Sequence, residues 1–140
     1  MLKTIAKKIE SLTTSFTIGT NLLEGFRPLD AIDRCSVIYE SGPGGYPELS
    51  DRADAMIQII SRSQRELDGG SIWQARADAY EIHDAIHGTS GWDMTEVDDE
   101  GLLKAMTVEK ISGPVYVGID EKGRHSYSTN YLWRIQDRDE

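Results

Sequence analysis

Two histidines four residues apart, His83 and His87, with Asp84 directly after the first, are this chain's nearest approach to a reaction motif. Residues at i and i+4 share one face of a helix, so His83-Asp84-Ala85-Ile86-His87 nearly reproduces the H-E-x-x-H pattern, in which two imidazoles hold zinc and the acid serves as general base. The acid here is Asp, one methylene short of the usual reach. A third ligand has to come from elsewhere, and His125 is the only other histidine. Projected at about 100° per residue, both histidines point between an aliphatic stripe and the Trp73/Tyr80 pair, toward the packed side. Packed or interface histidines are therefore expected. A small metal-dependent hydrolase using His83 and His87 is the enzyme alternative.

The other reactive residue types lack the surroundings that would make them work. Gly42, Gly44 and Gly45 do not form a phosphate cradle, because no Gly-Lys-Ser/Thr follows and Pro43 removes a backbone N–H from any such nest. No serine lies in a Gly-x-Ser-x-Gly elbow, and Cys35 falls within an alternating strand pattern rather than at an exposed helix start. The acids from Asp93 to Glu100 lack the ordered spacing and glycine of a calcium loop. The aromatic stripe from Tyr127 to Trp133 has no interleaved Lys and Arg, so core or subunit contact is expected rather than base stacking. No catalytic residue, cofactor or metal is expected.

The chain's balance of residues narrows the field further. At 140 residues it suits a single domain, 1–140, able to bury a core without disulfides or a structural metal. One cysteine excludes a disulfide framework and suits a reducing compartment. Fifteen basic against twenty-four acidic residues leave a formal net charge of −9, opposed to any grip on nucleic acid that works by neutralising phosphates. The basic start, Met1 to Glu10, is followed by no continuous apolar stretch, and no uncharged run approaches the roughly 18 residues of a membrane span. Neither a signal peptide nor a membrane partner is expected.

The elements that must position these residues follow from periodicity. Leu2, Ile5, Ala6, Ile9 and Leu12 share a helical face, expected to cover a sheet. Gly19 to Pro28 reads as a structured loop, and Arg34 to Glu40 alternates as a strand. Ser41 to Pro47 cannot hold a helix or a central strand. Ala53 to Ser63 reads as a strand buried on both sides, with Ile57 and Ile59 on one face and Met56 and Ile60 on the other. Ile72, Ala75, Ala79, Ile82 and Ile86 predict a helix over Ser71 to His87, with Ser71 as N-cap behind a flexible Gly69-Gly70 lead-in. Thr89 to Gly101 is polar and acidic around Trp92, and reads as a loop or lid. Leu102 to Ile111 predicts a strand that Gly113-Pro114 breaks. Val115, Val117 and Ile119 begin another, and Asp120 to Gly123 turns the chain into a last strand from His125 to Ile135. Asp137 to Glu140 should fray. The order α-β-β-α-β-β-β implies an α+β fold: a mostly antiparallel sheet of four to five strands with two helices packed on one side.

Taken together, these segments resemble the tail-terminator and minor-capsid family of long-tailed bacteriophages, small proteins of the neck that cap the tail tube. The likeness runs through the N-terminal helix, Gly19-Thr20-Asn21-Leu22, Gly25-Phe26-Arg27-Pro28, Val37-Ile38-Tyr39-Glu40 and the Gly/Pro-rich loop from Gly42 to Pro47. It continues through Met56 to Arg62, Glu81 to Gly88, and Gly113 to Arg124 entering an aromatic strand. The acidic stretch from Asp93 to Glu100 departs from the pattern. The motifs are structural and identify no reaction.

The resemblance implies a homo-oligomer, usually a ring of six copies. One side meets the tail-tube protein and stops its polymerisation, while the other meets the head-connector or stopper protein. DNA passes through the lumen without specific binding. The implied location is the virion neck, with the host cytoplasm as the site of assembly. A head-completion or adaptor protein of the same neck is the alternative, sharing size, charge and symmetry. Loops at Ser41 to Asp51 and Asp93 to Gly101 and the turn at Asp120, Glu121, Lys122 and Gly123 are the expected contact surfaces, with Tyr46, Pro47 and Trp92 as apolar anchors for a neighbouring copy or tail partner.

Overall fold

A computed structural model describes residues 2–25, 32–40, 52–87, 90–93 and 103–137. Helix α1 spans Leu2–Leu12, and Ile5, Ala6 and Ile9 are fully buried at the spacing of one helical face. It ends where Thr13 donates both its N–H and its hydroxyl to the Ile9 carbonyl. Asn21 then shapes the following turn by accepting from the Thr17 N–H at 2.7 Å and donating to the Ser15 carbonyl at 2.7 Å. That turn delivers a short strand, β1 (Leu22–Glu24), parallel to β2 (Cys35–Glu40). The stretch expected as loop thus contains strand. Two glycines and a proline in ten residues hide three residues whose ladder is set by β2 rather than by local propensity.

Strands β2 and β3 (Arg52–Arg65) pair antiparallel, as do β3 and β6 (Arg124–Asp137). Strand β6 forms a long hairpin with β5 (Leu103–Ile119), whose far side takes β4 (Ser90–Asp93). Among the described residues the result is one mixed six-stranded sheet in the order β1-β2-β3-β6-β5-β4, α+β in class, with only the β1–β2 strand pair parallel.

Two expectations about this half of the chain are corrected. Gly113-Pro114 does not end a strand, because β5 absorbs the pair in a register shift between Ser112 and Val115 and continues unbroken. Ser90–Asp93, placed in an acidic loop, forms the edge strand β4, so Trp92 stands opposite Ala105 in a ladder. Both misreadings share a cause: turn-forming residues are tolerated at a sheet edge, where fewer ladder bonds are lost.

Helix α2 (Ile72–Ile86) begins as expected at Ser71, whose hydroxyl accepts from the Gln74 N–H. Its buried residues Ile82 and Ile86 join Ile5 and Ile9 of α1 in one core with Ile38, Ile57, Ile59, Val108, Tyr131 and Trp133. Both helices therefore pack on the same face of the sheet. Register places Ile38 against Ile59, and Val108 against Trp133, on that face. The other face is partly buried too: Cys35, Val37 and Arg62 are inaccessible, while Met56, Gln58 and Ile60 are half-buried. Each fully buried aliphatic or aromatic side chain contributes about 1.5–3 kcal/mol.

Candidate assembly surface

The β5–β6 hairpin runs well past β4, and its tip is held by charge. Asp120 Oδ1 accepts from the Lys122 and Arg124 N–H groups at 2.9 and 3.0 Å, and the Gly123 N–H returns to the Asp120 carbonyl at 3.0 Å. Gly123 has φ +78, as the turn requires. Arg124, nearly inaccessible, reaches Asp120 at 2.8 Å and Asp33 at 3.1 Å. Burial alone would raise the Asp120 carboxyl, but the bonds from Arg124 and Lys122 outweigh it and hold that carboxyl below its ordinary range. The tip is docked as well: the Glu66 N–H donates to the Gly123 carbonyl, and the His125 N–H to Ser63 Oγ at 2.9 Å. Asp120, Glu121 and Lys122 are exposed on this fixed turn.

Beyond the tip runs an open edge. Strand β4 covers β5 only from Lys104 to Thr107, so among the described residues no strand lies outside Val108–Ile119. Along that stretch Ile111, Val115, Tyr116, Val117 and Ile119 are between 37% and 56% exposed. An apolar edge of this length is a template for pairing with another chain. Its shape restricts how: Pro114 offers no N–H, and register shifts at Lys110/Ser112, Ser112/Val115 and Tyr116/Gly118 bend it. Where Val117, Gly118 and Ile119 meet Asp120 and Ser126, an open recess of about 200 Å³ forms.

The histidine pair closes the other end of this edge. The Lys110 N–H donates to His87 Nδ1 at 3.3 Å, and the His83 and His87 rings stack with centroids 4.7 Å apart. His83 Nδ1 lies 3.2 Å from the Tyr131 hydroxyl. Burial, then the positive charges of His87 and Lys110, lower the His83 pKa below its usual 6.5 against the opposing pull of Asp84. Burial likewise pushes the Tyr131 phenol up. The expectation that both histidines face the packed side is corrected: His83 is half-buried, but His87 is exposed, and Trp73 is 69% exposed rather than part of a packed pair.

Nor does the donor set suit zinc. By accepting from Lys110, His87 commits Nδ1 and leaves the proton of the neutral ring on Nε2. His125 lies six residues along β6 from Tyr131, roughly 20 Å of strand, and bonds Tyr116 instead at 2.9 Å. Among the described residues no group of three His, Cys, Asp or Glu stands close enough to hold a metal ion.

The structure brings the expected turn, Asp120 to Gly123, to one end of the bare edge. Trp92 is elsewhere, in β4. Tyr46 and Pro47, and the acidic stretch from 94 to 100, lie outside the described residues. The outward residues of β5 were invisible to sequence reasoning, because Val115, Val117 and Ile119 alternate as any half-buried strand does. Leu67, 91% exposed, and Trp73 were likewise missed; a Leu between Glu66 and Asp68 was the available signal. Among the described residues no helix is long and apolar enough to cross a membrane. No protein-family model matches the chain, and no curated protein matches it.

Proposed function

We propose that this chain is a structural protein of the neck of a long-tailed phage. Copies close into a ring, of six by the resemblance of the sequence. The ring caps the tail tube, stops its polymerisation, and forms the tail side of the head–tail joint. The observation that carries this reading is the bare β5 edge, with its five exposed large apolar side chains beside a braced hairpin tip. A lone copy leaves that edge in water, and a closed ring covers it in every copy. The tip residues Asp120, Glu121, Lys122 and Gly123 are the contact to a neighbour or tail partner, and the docked turn keeps them rigid.

An acidic chain suits a conduit for DNA. Carboxylates lining a lumen repel phosphate and leave the duplex no adhesive stop, which a net charge of −9 per copy makes possible. No bond is made or broken. The deciding experiment is electron microscopy of particles assembled without this protein. Tails of uncontrolled length beside separate filled heads are the expected result. Tails of normal length with leaking heads would instead assign the chain to head completion, and intact infectious particles would end the neck reading altogether.

A further inference from the structure

The large apolar side chains exposed among the described residues fall into two patches, apart from Leu12 on α1. One is the β5 edge, which ends in the recess beside Ser126. The other is a protruding corner, where Leu67 and Trp73 flank the Gly69-Gly70 turn at 91% and 69% exposure. The two patches differ in form. Gly118, φ +134, leaves empty space where a side chain would stand, and the backbone there disfavours any residue that would fill it. The corner offers a rigid indole with one N–H donor, and the recess offers the Ser126 hydroxyl and the Asp120 carboxylate as acceptors.

Their charges also match. Exposed Arg76 sits one helical turn after Trp73, and exposed Glu121 follows Asp120 at the rim of the recess. The patches lie toward the same end of the molecule, the corner at the start of α2 and the recess at the edge of the sheet. Tyr127 packs with Ala75 and Ala79 under α2, so its strand neighbour Ser126 faces away from the helices. The Glu66 N–H, bonded to the Gly123 carbonyl at 3.0 Å, holds the corner next to the hairpin tip.

Resting on the ring reading, we propose that the subunit contact is heterologous: Trp73 of one copy, supported by Leu67, seats in the next copy's recess at Val117, Gly118, Ile119 and Ser126. A contact between two unlike, separate patches passes from copy to copy instead of closing on a two-fold axis. Pairing of two β5 edges would do the reverse, giving a symmetric dimer and stopping there.

The test is sedimentation of the purified full chain, with far-UV circular dichroism as a check on folding, for wild type, Trp73→Ala, Val117→Glu/Ile119→Glu, and an equimolar mixture of the two variants. All three substituted side chains are exposed, so the variants keep their fold. Each variant alone is expected to be monomeric where wild type is a ring, its association weakened about 30-fold or more, the loss typical of a central aromatic anchor. The mixture is expected to form 1:1 heterodimers, since one partner retains the corner and the other the recess. A Trp73→Ala protein that still forms rings of wild-type size overturns this contact and leaves the ring intact. A wild-type dimer unaffected by Trp73→Ala assigns the edge to two-fold pairing and overturns it too. Wild type that stays monomeric at every concentration overturns both the contact and the ring. As a second arm, Arg76→Glu and Glu121→Arg should each weaken assembly and together restore it; no restoration counts against the proposed rim pair.

Discussion

Asp120 answers three donors with one carboxylate, and the tip of the hairpin depends on it. Removing the side chain leaves the Lys122 and Arg124 N–H groups without that acceptor and strips the nearly inaccessible Arg124 of one of its two carboxylates. Charge-assisted bonds contribute about 1.5–3 kcal/mol each when sheltered, and less where solvent screens them. Asp120→Ala is therefore expected to cost about 1–3 kcal/mol, measured as a lower thermal midpoint, with Asp120→Asn falling between the two. His83 makes a separate prediction about acid. Its pKa is lower folded than unfolded, so the unfolded chain binds the extra proton first. Stability contributed by neutral His83 is complete above about pH 6.5 and declines as pH falls from there through the folded value. The stability that Asp120 contributes is complete above the ordinary carboxylate value of 3.8 and is lost only as pH falls below it. Denaturant midpoints taken from pH 7.5 to 5 should fall for wild type and fall less for His83→Gln; parallel curves would remove His83 as the cause.

Strand β5 shows how one element can be stable on one side and available on the other. Its inner edge is locked to β6 along nearly its whole length, whereas its outer edge beyond Thr107 meets no described strand. Natural edges are usually blunted, and this one carries two of the usual devices, a proline and repeated bulges. Neither adds charge, and the residues they expose are apolar. A lysine in place of exposed Val115 should leave monomer stability within about 0.5 kcal/mol, because it removes no buried contact. The same change should weaken self-association at least tenfold by placing a strongly hydrated cation on the edge. Chemical denaturation and sedimentation of one preparation check both halves. Equal losses in both would mean that the edge serves the fold and not assembly.

For the whole molecule the competing terms are apolar contact and like charge. Each copy carries a net charge of −9, so closing a ring concentrates negative charge that salt can screen. The single rim pair of Arg76 and Glu121 pulls the other way, but an exposed pair contributes only about 0–1 kcal/mol. Self-repulsion dominates. Raising ionic strength from about 50 to 500 mM, where the Debye length shrinks severalfold, should therefore strengthen assembly, read as a lower concentration at half-association. Weakening on added salt would show that ion pairs rather than apolar contacts hold the copies together.

Helices and central strands were legible in the sequence because their signals are local. Ile5 and Ile9, or Ile82 and Ile86, repeat at helical spacing, and Ser71 caps α2 through a hydroxyl reaching a backbone N–H three residues on. The α+β class, the antiparallel majority and the Asp120–Gly123 turn follow from such patterns. Edges do not. Whether Leu22–Glu24 and Ser90–Asp93 become strands depends on partners distant in the chain, and Gly113-Pro114 interrupts nothing because β6 holds both sides of it. The candidate surface belongs to the same class of fact. Val115 and Ile57 are both aliphatic residues in alternating strands, and composition cannot tell them apart. Only the order of strands decides that one is shut between neighbours and the other faces water, since exposure is a property of which backbone edges find a partner.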